Sequence, residues 1–270
     1  MEPTLDALRA WMRDARSVLV CFSGGVDSAF VLKVAHEVLG DRALGLTALS
    51  PALPITERDA ARAVAAEIGV PHVAVASNEI DDPSYASNPV DRCFYCKSEL
   101  YRIAVAEAAR RGFATVVNGT NLDDLGDHRP GLAAATQGGV RSPLVELGFT
   151  KADIRRGSRE LGLSVWDKPA AACLASRIPY GTSVTHERLR QIDAAETALR
   201  ALGFRQVRVR LHGDLARVEV GPEELPRAFE RRVEVSGACR RAGFTFATLD
   251  LDGYRVGSTN ESVRLPVLRG

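Results

Sequence analysis

Val18-Leu19-Val20-Cys21-Phe22-Ser23-Gly24-Gly25-Val26-Asp27-Ser28 is the stretch that decides the fold. It begins with a continuous apolar run, the pattern of a strand buried on both faces of a parallel sheet. Two glycines follow, and glycine lets a chain turn sharply and bring its amides close to a ligand. Ala29 to Leu39 then has helical spacing and stops at Gly40. Ser28 is read as opening that helix, whose N-terminus carries partial positive charge and free N–H groups. Ser23, Gly24, Gly25, Val26 and Ser28 together make a cradle for phosphate. Asp27 repels phosphate unless a cation bridges the two, which implies Mg²⁺. A Walker loop needs a Lys that is absent here, and the dinucleotide fingerprint is absent too. The bland alternative is a plain strand-turn-helix joint.

Outward from this loop, strands alternate with helices. Strands are expected at Ala43 to Leu49, His72 to Ala76 and Ala114 to Asn118. Helices are expected from a Thr56 cap to Ile68, over Cys93 to Arg111, and over Thr150 to Leu161 with Asp153 completing a capping box. Ser77 to Asp91 and residues 120–143 read as loops. Such alternation implies an α/β fold, a doubly wound parallel sheet with ligands at the carboxyl ends of its strands. Asp167 to Val184 lacks periodicity, and a loop of that length in a compact domain is usually functional. From Thr185 the pattern changes to a helix reaching Leu202, a hairpin turning at His212-Gly213-Asp214, a helix over Glu224 to Arg241 and a strand over Phe244 to Leu249. The expected division is therefore residues 1–184, the nucleotide domain, and 185–270, a smaller α+β domain for substrate and oligomerisation. Residues 257–270 read as irregular.

Composition narrows the function. The chain has 270 residues, 46% hydrophobic and 26% charged, with a formal net charge of +1. That balance suits a soluble protein and provides no basic field for nucleic acid. No apolar run approaches the ~20 residues of a membrane span. The N-terminus lacks the layout of a signal peptide, so a cytoplasmic protein is expected. The five cysteines are Cys21, Cys93, Cys96, Cys173 and Cys239. An odd number argues against a disulfide framework. Cys21 and Cys239 read as small buried hydrophobes. Cys93-x-x-Cys96 alone fits a redox pair or half a zinc site.

Asn118-Gly119-Thr120-Asn121-Leu122-Asp123-Asp124 follows the fourth strand, and Arg141-Ser142-Pro143-Leu144 precedes Lys151. With the phosphate loop, these motifs resemble the PP-loop ATP pyrophosphatases, the adenine nucleotide alpha hydrolase-like fold. The resemblance implies cleavage of ATP between its α and β phosphates, transfer of AMP to an acceptor oxygen, and Gly119 and Asp123 near the nucleotide and metal.

Two further segments narrow the resemblance. Asn88-Pro89-Val90-Asp91-Arg92-Cys93-Phe94-Tyr95-Cys96-Lys97 and Lys168-Pro169-Ala170-Ala171-Ala172-Cys173-Leu174-Ala175-Ser176-Arg177-Ile178-Pro179-Tyr180-Gly181 resemble the LarE family. These are ATP-dependent sulfur transferases of nickel-pincer nucleotide biosynthesis. The resemblance implies a pyridinium mononucleotide carboxylate that is adenylylated and converted to a thiocarboxylate. It offers two sources of sulfur. Cys173 is a sacrificial nucleophile, its thiolate favoured by Arg177, or Cys93, Cys96 and Cys173 hold a [4Fe–4S] cluster with one iron open to hydrosulfide. If the sacrificial position falls on Ala172, Cys173 has another task. Arg208 and Arg210 share a strand face by their period of two and are read as a clamp for substrate phosphate, joined by Ser176 and Arg177; the bland reading is a solvated face. Glu196 and Glu219 resemble the family's acidic residues near substrate and are expected to bind it, with holding a metal there as a further option; the bland reading is an ordinary charged face. The family also implies a homo-oligomer and contact with other proteins of nickel-pincer biosynthesis. The rival readings are a tRNA thiolase, an ammonia-dependent ligase and a non-catalytic ATP-sensing module.

Overall fold

The structure is a computed structural model that describes residues 3–126, 131–169 and 171–255. Two compact units emerge, Met1–Tyr85 with Pro89–Ala171, and Ala86–Asn88 with Ala172–Gly270. The boundary expected near Val184 thus falls inside the second unit. Residues 257–270 lie outside the described residues.

The first unit runs α1 (Leu5–Ala15), β1 (Val18–Cys21), α2 (Val26–Leu39), β2 (Ala43–Leu49), α3 (Ile55–Ile68) and β3 (His72–Ala76). It continues with α4 (Pro83–Ala86), α5 (Arg92–Arg111), β4 (Thr115–Val117), α6 (Gly131–Gln137), α7 (Pro143–Glu146) and α8 (Lys151–Glu160). All sheet pairings are parallel and the strand order is β3-β2-β1-β4. The chain winds outward from β1 through β2 to β3, then returns to place β4 on the other side of β1. The crevice between the carboxyl ends of β1 and β4 is therefore the topological switch point, where open α/β sheets bind ligands. Residues 23–25 and 118–126 are the loops that leave those two strands.

Strand side chains alternate between the faces. Val18, Val20 and Phe22 pack with Leu8, Met12, Phe30 and Ile154 in one buried cluster. Leu19 and Cys21 pack with Leu46, Tyr101 and Ala104 in the other. Helices thus cover both faces, the doubly wound arrangement that the sequence predicts.

Several local expectations shift. α2 begins at Val26 with Gly25 as its cap, so Ser28 sits inside the first turn rather than opening it. α3 begins at Ile55 behind Pro54, so Thr56 is not its cap. The stretch 120–143 holds a 3-10 turn at Leu122–Gly126 and α6 besides loop. Ser77 to Asp91 contains another 3-10 turn and α4. The box at α8 forms as expected, with Thr150 accepting from the Asp153 amide and the Asp153 carboxylate accepting from the Thr150 amide. Hydrogen bonds from the Thr150 hydroxyl and amide hold Asp153 below the usual carboxylate range.

The second unit comprises α9 (His186–Ala201), β5 (Val207–His212), β6 (Leu215–Val220), α10 (Leu225–Glu230), α11 (Arg232–Arg241) and β7 (Phe246–Leu249). Thr185 caps α9 by accepting from the Arg188 amide. β5 and β6 form the expected hairpin, and β7 adds to β6 in parallel. The helix expected over Glu224 to Arg241 is two helices, because Arg231 leaves the helical region at ψ 22. The last strand starts at Phe246 rather than Phe244. Asn88 reaches into this unit's loop, its amide donating to the Pro179 and Thr182 carbonyls at 2.8 and 2.9 Å.

Candidate functional site

The phosphate loop is stitched by its own hydroxyls. Ser28 Oγ donates to the Gly25 carbonyl at 3.1 Å and accepts from the Ser23 amide at 3.2 Å. Ser23 Oγ lies 3.1 Å from Ser28 Oγ. The loop folds this way only with glycine at Gly24, which has φ +70 and whose added Cβ would sit 2.6 Å from the Ala61 Cα. Gly119, on the loop after β4, closes the other side. A Cβ there would fall 2.8 Å from the Ser28 amide nitrogen, so the loop after β4 lies backbone to backbone against the first turn of α2.

Charges surround this cradle. Lys151, the first residue of α8, places its Nζ 2.5 and 2.7 Å from the two Asp27 carboxylate oxygens. Asn121 Nδ2 donates to Asp27 at 3.4 Å. Asp123 accepts from the Lys151 amide at 2.6 Å, so it fixes the start of α8. Asn118 Oδ1 accepts from the Thr120 amide and the Ser142 hydroxyl, which ties the loop after β4 to the Arg141-Ser142 motif. Asp27, Lys151, Asn121 and Asp123 thus meet at one edge of the cradle. A carboxylate can ligate a divalent cation and an ammonium can donate to phosphate, so the pair offers groups of both kinds.

Lys168 and Glu57 went unnoticed as site residues in the sequence. Lys168 Nζ lies 2.8 Å from Glu57 Oε2 and 3.4 Å from the Gly24 carbonyl. The sequence signal is a lysine directly before Pro169, near the start of the aperiodic segment that begins at Asp167.

The cysteines divide. Burial pushes the Cys21 thiol up to about 12, against the pull of Lys97, and burial pushes Cys239 up to about 11. Both are packing residues, as expected. Cys93 is exposed and Cys96 half-buried, three positions apart in the first turn of α5, so they share a helix face. Cys173 is half-buried in the second unit. Among the described residues no three His, Cys, Asp or Glu side chains come together as a metal site.

In the second unit the expected substrate residues form two buried ionic knots. Arg177 donates through Nε to Glu196 Oε1 at 2.8 Å and through Nη2 to Oε2 at 3.2 Å, with both side chains almost fully buried. Arg200 adds 2.7 Å and the Val209 amide 3.1 Å to the same carboxylate. Burial opposes its charge, but Arg177 and then Arg200 hold Glu196 below its usual range. Arg177 Nη1 also donates to the Ala172 and Cys173 carbonyls, both at 2.8 Å. Ser176 Oγ donates to the Cys173 carbonyl at 2.7 Å. Arg177 and Ser176 therefore fix the peptide that carries Cys173, through its carbonyl oxygen.

The second knot is Glu219 with Arg210 and Arg217, at 3.0 and 3.1 Å. Arg210 also donates to the Ser176 carbonyl at 3.0 Å. Arg208 and Arg210 were expected to act alike as a clamp, but their surroundings differ. Arg210 is buried against Glu219. Arg208 is half-buried over the Tyr254 ring at 5.3 Å, with burial and then the charge of Arg177 lowering its pKa. Glu196 and Glu219, expected near the substrate, each face guanidinium groups here.

Known proteins resemble this chain along most of its length. A sequence model of the asparagine synthase family matches residues 3–120. A pyridinium-3,5-bisthiocarboxylic acid mononucleotide synthase from Lactiplantibacillus plantarum is 38% identical over 257 residues, 95% of this chain and 93% of that protein. The chain belongs to the LarE family. A Synechocystis protein, slr1717, is 44% identical over 96% of this chain and 98% of its own length. A Methanocaldococcus jannaschii protein, MJ0830, is 30% identical over 62% of this chain and 66% of its own length. This LarE-family chain is thus an ATP-using enzyme of the PP-loop class with the α/β fold expected. No described helix is long and apolar enough to cross a membrane.

Proposed function

We propose that the chain is an ATP-dependent sulfur transferase acting on a carboxylate of a pyridinium mononucleotide. The observation that carries this is the hydroxyl-stitched loop at the switch point, edged by the Asp27–Lys151 pair, in a chain collinear with a synthase of that product class. Ser23 to Ser28 hold the phosphates of ATP. Asp27 would hold Mg²⁺, which would offset the repulsion between that carboxylate and the phosphates, and Lys151, paired with Asp27, is placed to meet a phosphate oxygen. A substrate carboxylate oxygen bonds to the α-phosphorus as the bond to the pyrophosphate oxygen breaks. A sulfur nucleophile then adds to the carbonyl and AMP leaves with that oxygen. With hydrosulfide the products are thiocarboxylate, AMP and one proton. Adenylylation is needed because a free carboxylate is a poor electrophile.

Three thiols are the candidates for handling the sulfur. Cys93 and Cys96 share a helix face, which suits two donors of a cluster; Cys173 as the third donor rests on the family resemblance alone. A [4Fe–4S] group held by these thiolates would supply Lewis-acid chemistry for delivering hydrosulfide. A sacrificial Cys173 is the alternative supported by its loop, whose peptide Arg177 and Ser176 fix. The second unit binds the substrate, with Arg208 the arginine best suited to its phosphate, and the chain works as a homo-oligomer alongside proteins that use the thiocarboxylate.

The test is anaerobic incubation with ATP, Mg²⁺, the pyridinium mononucleotide carboxylate and sulfide. Mass spectrometry should find oxygen replaced by sulfur in the product, with equal AMP and pyrophosphate. An iron-free protein that is catalytic with sulfide would remove the cluster. One turnover with loss of H₂S from Cys173 would establish the sacrificial route. No thiocarboxylate under any of these conditions would overturn the proposal.

A further inference from the structure

Lys168 lies outside the residues expected to bind ATP, yet its ammonium reaches the Gly24 carbonyl of the phosphate loop. The segment leading to it is a strap along α3. Ser164 donates to Glu67 near the end of α3, through its amide at 2.9 Å and its hydroxyl at 2.5 Å. Leu163 and Val165 are buried in the core between. Lys168 then reaches Glu57 in the first turn of α3 at 2.8 Å. Glu57 and Glu67 are separated by roughly 15 Å of helix at 1.5 Å per residue. The ammonium is therefore delivered to a fixed place, about one-fifth exposed together with its partner. From there it faces the Gly24 carbonyl at 3.4 Å.

The Gly24 carbonyl and the Gly25 N–H belong to one planar trans peptide and point in opposite directions. A cation that holds the carbonyl outward aims the N–H inward, toward the cradle. It also draws electron density from the amide and makes that N–H a stronger donor. Among the described residues the Gly25 N–H makes a long contact of 3.4 Å to Ser23 Oγ, a weak bond that a stronger acceptor can replace. Gly24 itself cannot hold this peptide, because glycine has no side chain to restrict it. Glu57 in turn keeps the ammonium at this carbonyl, and its position at the start of α3 suits a carboxylate.

We propose that Lys168 is a positioning residue for the phosphate cradle, acting through the Gly24–Gly25 peptide on the pyrophosphoryl part of ATP. The inference rests on the reading of residues 23–28 as the phosphate loop, and not on the identity of the sulfur acceptor. It separates Lys168 from Lys151, which meets phosphate directly.

The experiment is calorimetric titration of the full chain with Mg-ATP, inorganic pyrophosphate and AMP. Lys168→Met should weaken ATP and pyrophosphate binding by about tenfold, the scale of one charge-assisted contact, and leave AMP within about twofold. Lys168→Arg should stay within about threefold of the unsubstituted protein, because the charge and much of the reach remain. The double variant Lys168→Met with Glu57→Gln decides between two causes. If it binds as weakly as Lys168→Met, the peptide-orienting role holds. If it regains the lost affinity, Lys168 merely neutralises Glu57 and the proposal fails. Equal losses for ATP, pyrophosphate and AMP, or a failed Lys168→Arg rescue, would also overturn it. Should Lys168→Met not fold, Lys168→Gln enters the same comparison. An unsubstituted protein that binds neither ATP nor pyrophosphate would instead overturn the phosphate-loop reading.

Discussion

The phosphate loop and the arginine–glutamate knots of the second unit use polar groups in opposite ways. Around the loop, backbone amides, two serine hydroxyls and the part-exposed Asp27–Lys151 pair remain able to exchange partners. In the second unit, Glu196 and Glu219 are fully buried and each faces two arginines. A part-exposed ion pair contributes about 0–1 kcal/mol, whereas breaking a buried one costs about 3–5 kcal/mol. Charge at the loop is thus available for chemistry, and charge in the knots holds structure. The two knots also grip the loop that carries Cys173, through the Cys173 and Ser176 carbonyls.

The largest expected effect is on stability. Glu196→Gln leaves Arg177 buried beside a neutral group and should cost about 3–5 kcal/mol in chemical denaturation. A loss below about 1 kcal/mol would put Glu196 in the same class as Asp27. Next is Gly24→Ala, which meets both a left-handed φ and the Ala61 backbone. It should cost about 1–3 kcal/mol and reduce ATP affinity. The smallest stability effect belongs to Asp27→Asn, under about 1 kcal/mol, while pyrophosphate release falls by about 10² or more. Equal losses of stability and turnover would erase the contrast.

Acid sharpens the same comparison. The folded pKa of Glu196 is below its ordinary 4.5, so its contribution is complete above that value and is lost as pH falls through the folded value. Stability measured from pH 6 downward should decline below about 4.5, and Glu196→Gln should flatten that decline. An unchanged acid slope in the variant would contradict the depressed value. In native protein at neutral pH, a thiol reagent should modify Cys93 and spare Cys21 and Cys239, whose thiols are buried and raised to about 12 and 11.

The loop was legible in the sequence because its determinants are consecutive. An apolar strand, two glycines, an aspartate and a helix all act within one short stretch. Even there the helix start was misjudged, since Gly25 caps α2 and Ser28 turns inward. α6 was hidden because Gly131, Gly138 and Gly139 flank a short helix and mark the whole stretch as loop. The roles of Glu196 and Arg210 were less legible for a different reason. Each carries charges that look available on a helix or strand face, and only the tertiary contacts with Arg177, Val209, Ser176 and Glu219 commit them. Lys168 begins the motif that runs to Gly181, but nothing in sequence spacing brings it to Gly24 and Glu57.

The most direct test of the account follows heavy oxygen through the reaction. The substrate carboxylate is labelled with heavy oxygen, and AMP and pyrophosphate are analysed after turnover with ATP, Mg²⁺ and the sulfur donor. Adenylylation at the phosphate loop predicts label in AMP and none in pyrophosphate, because the carboxylate oxygen leaves on the α-phosphorus. Unlabelled AMP, or cleavage of ATP to ADP and phosphate, would contradict it.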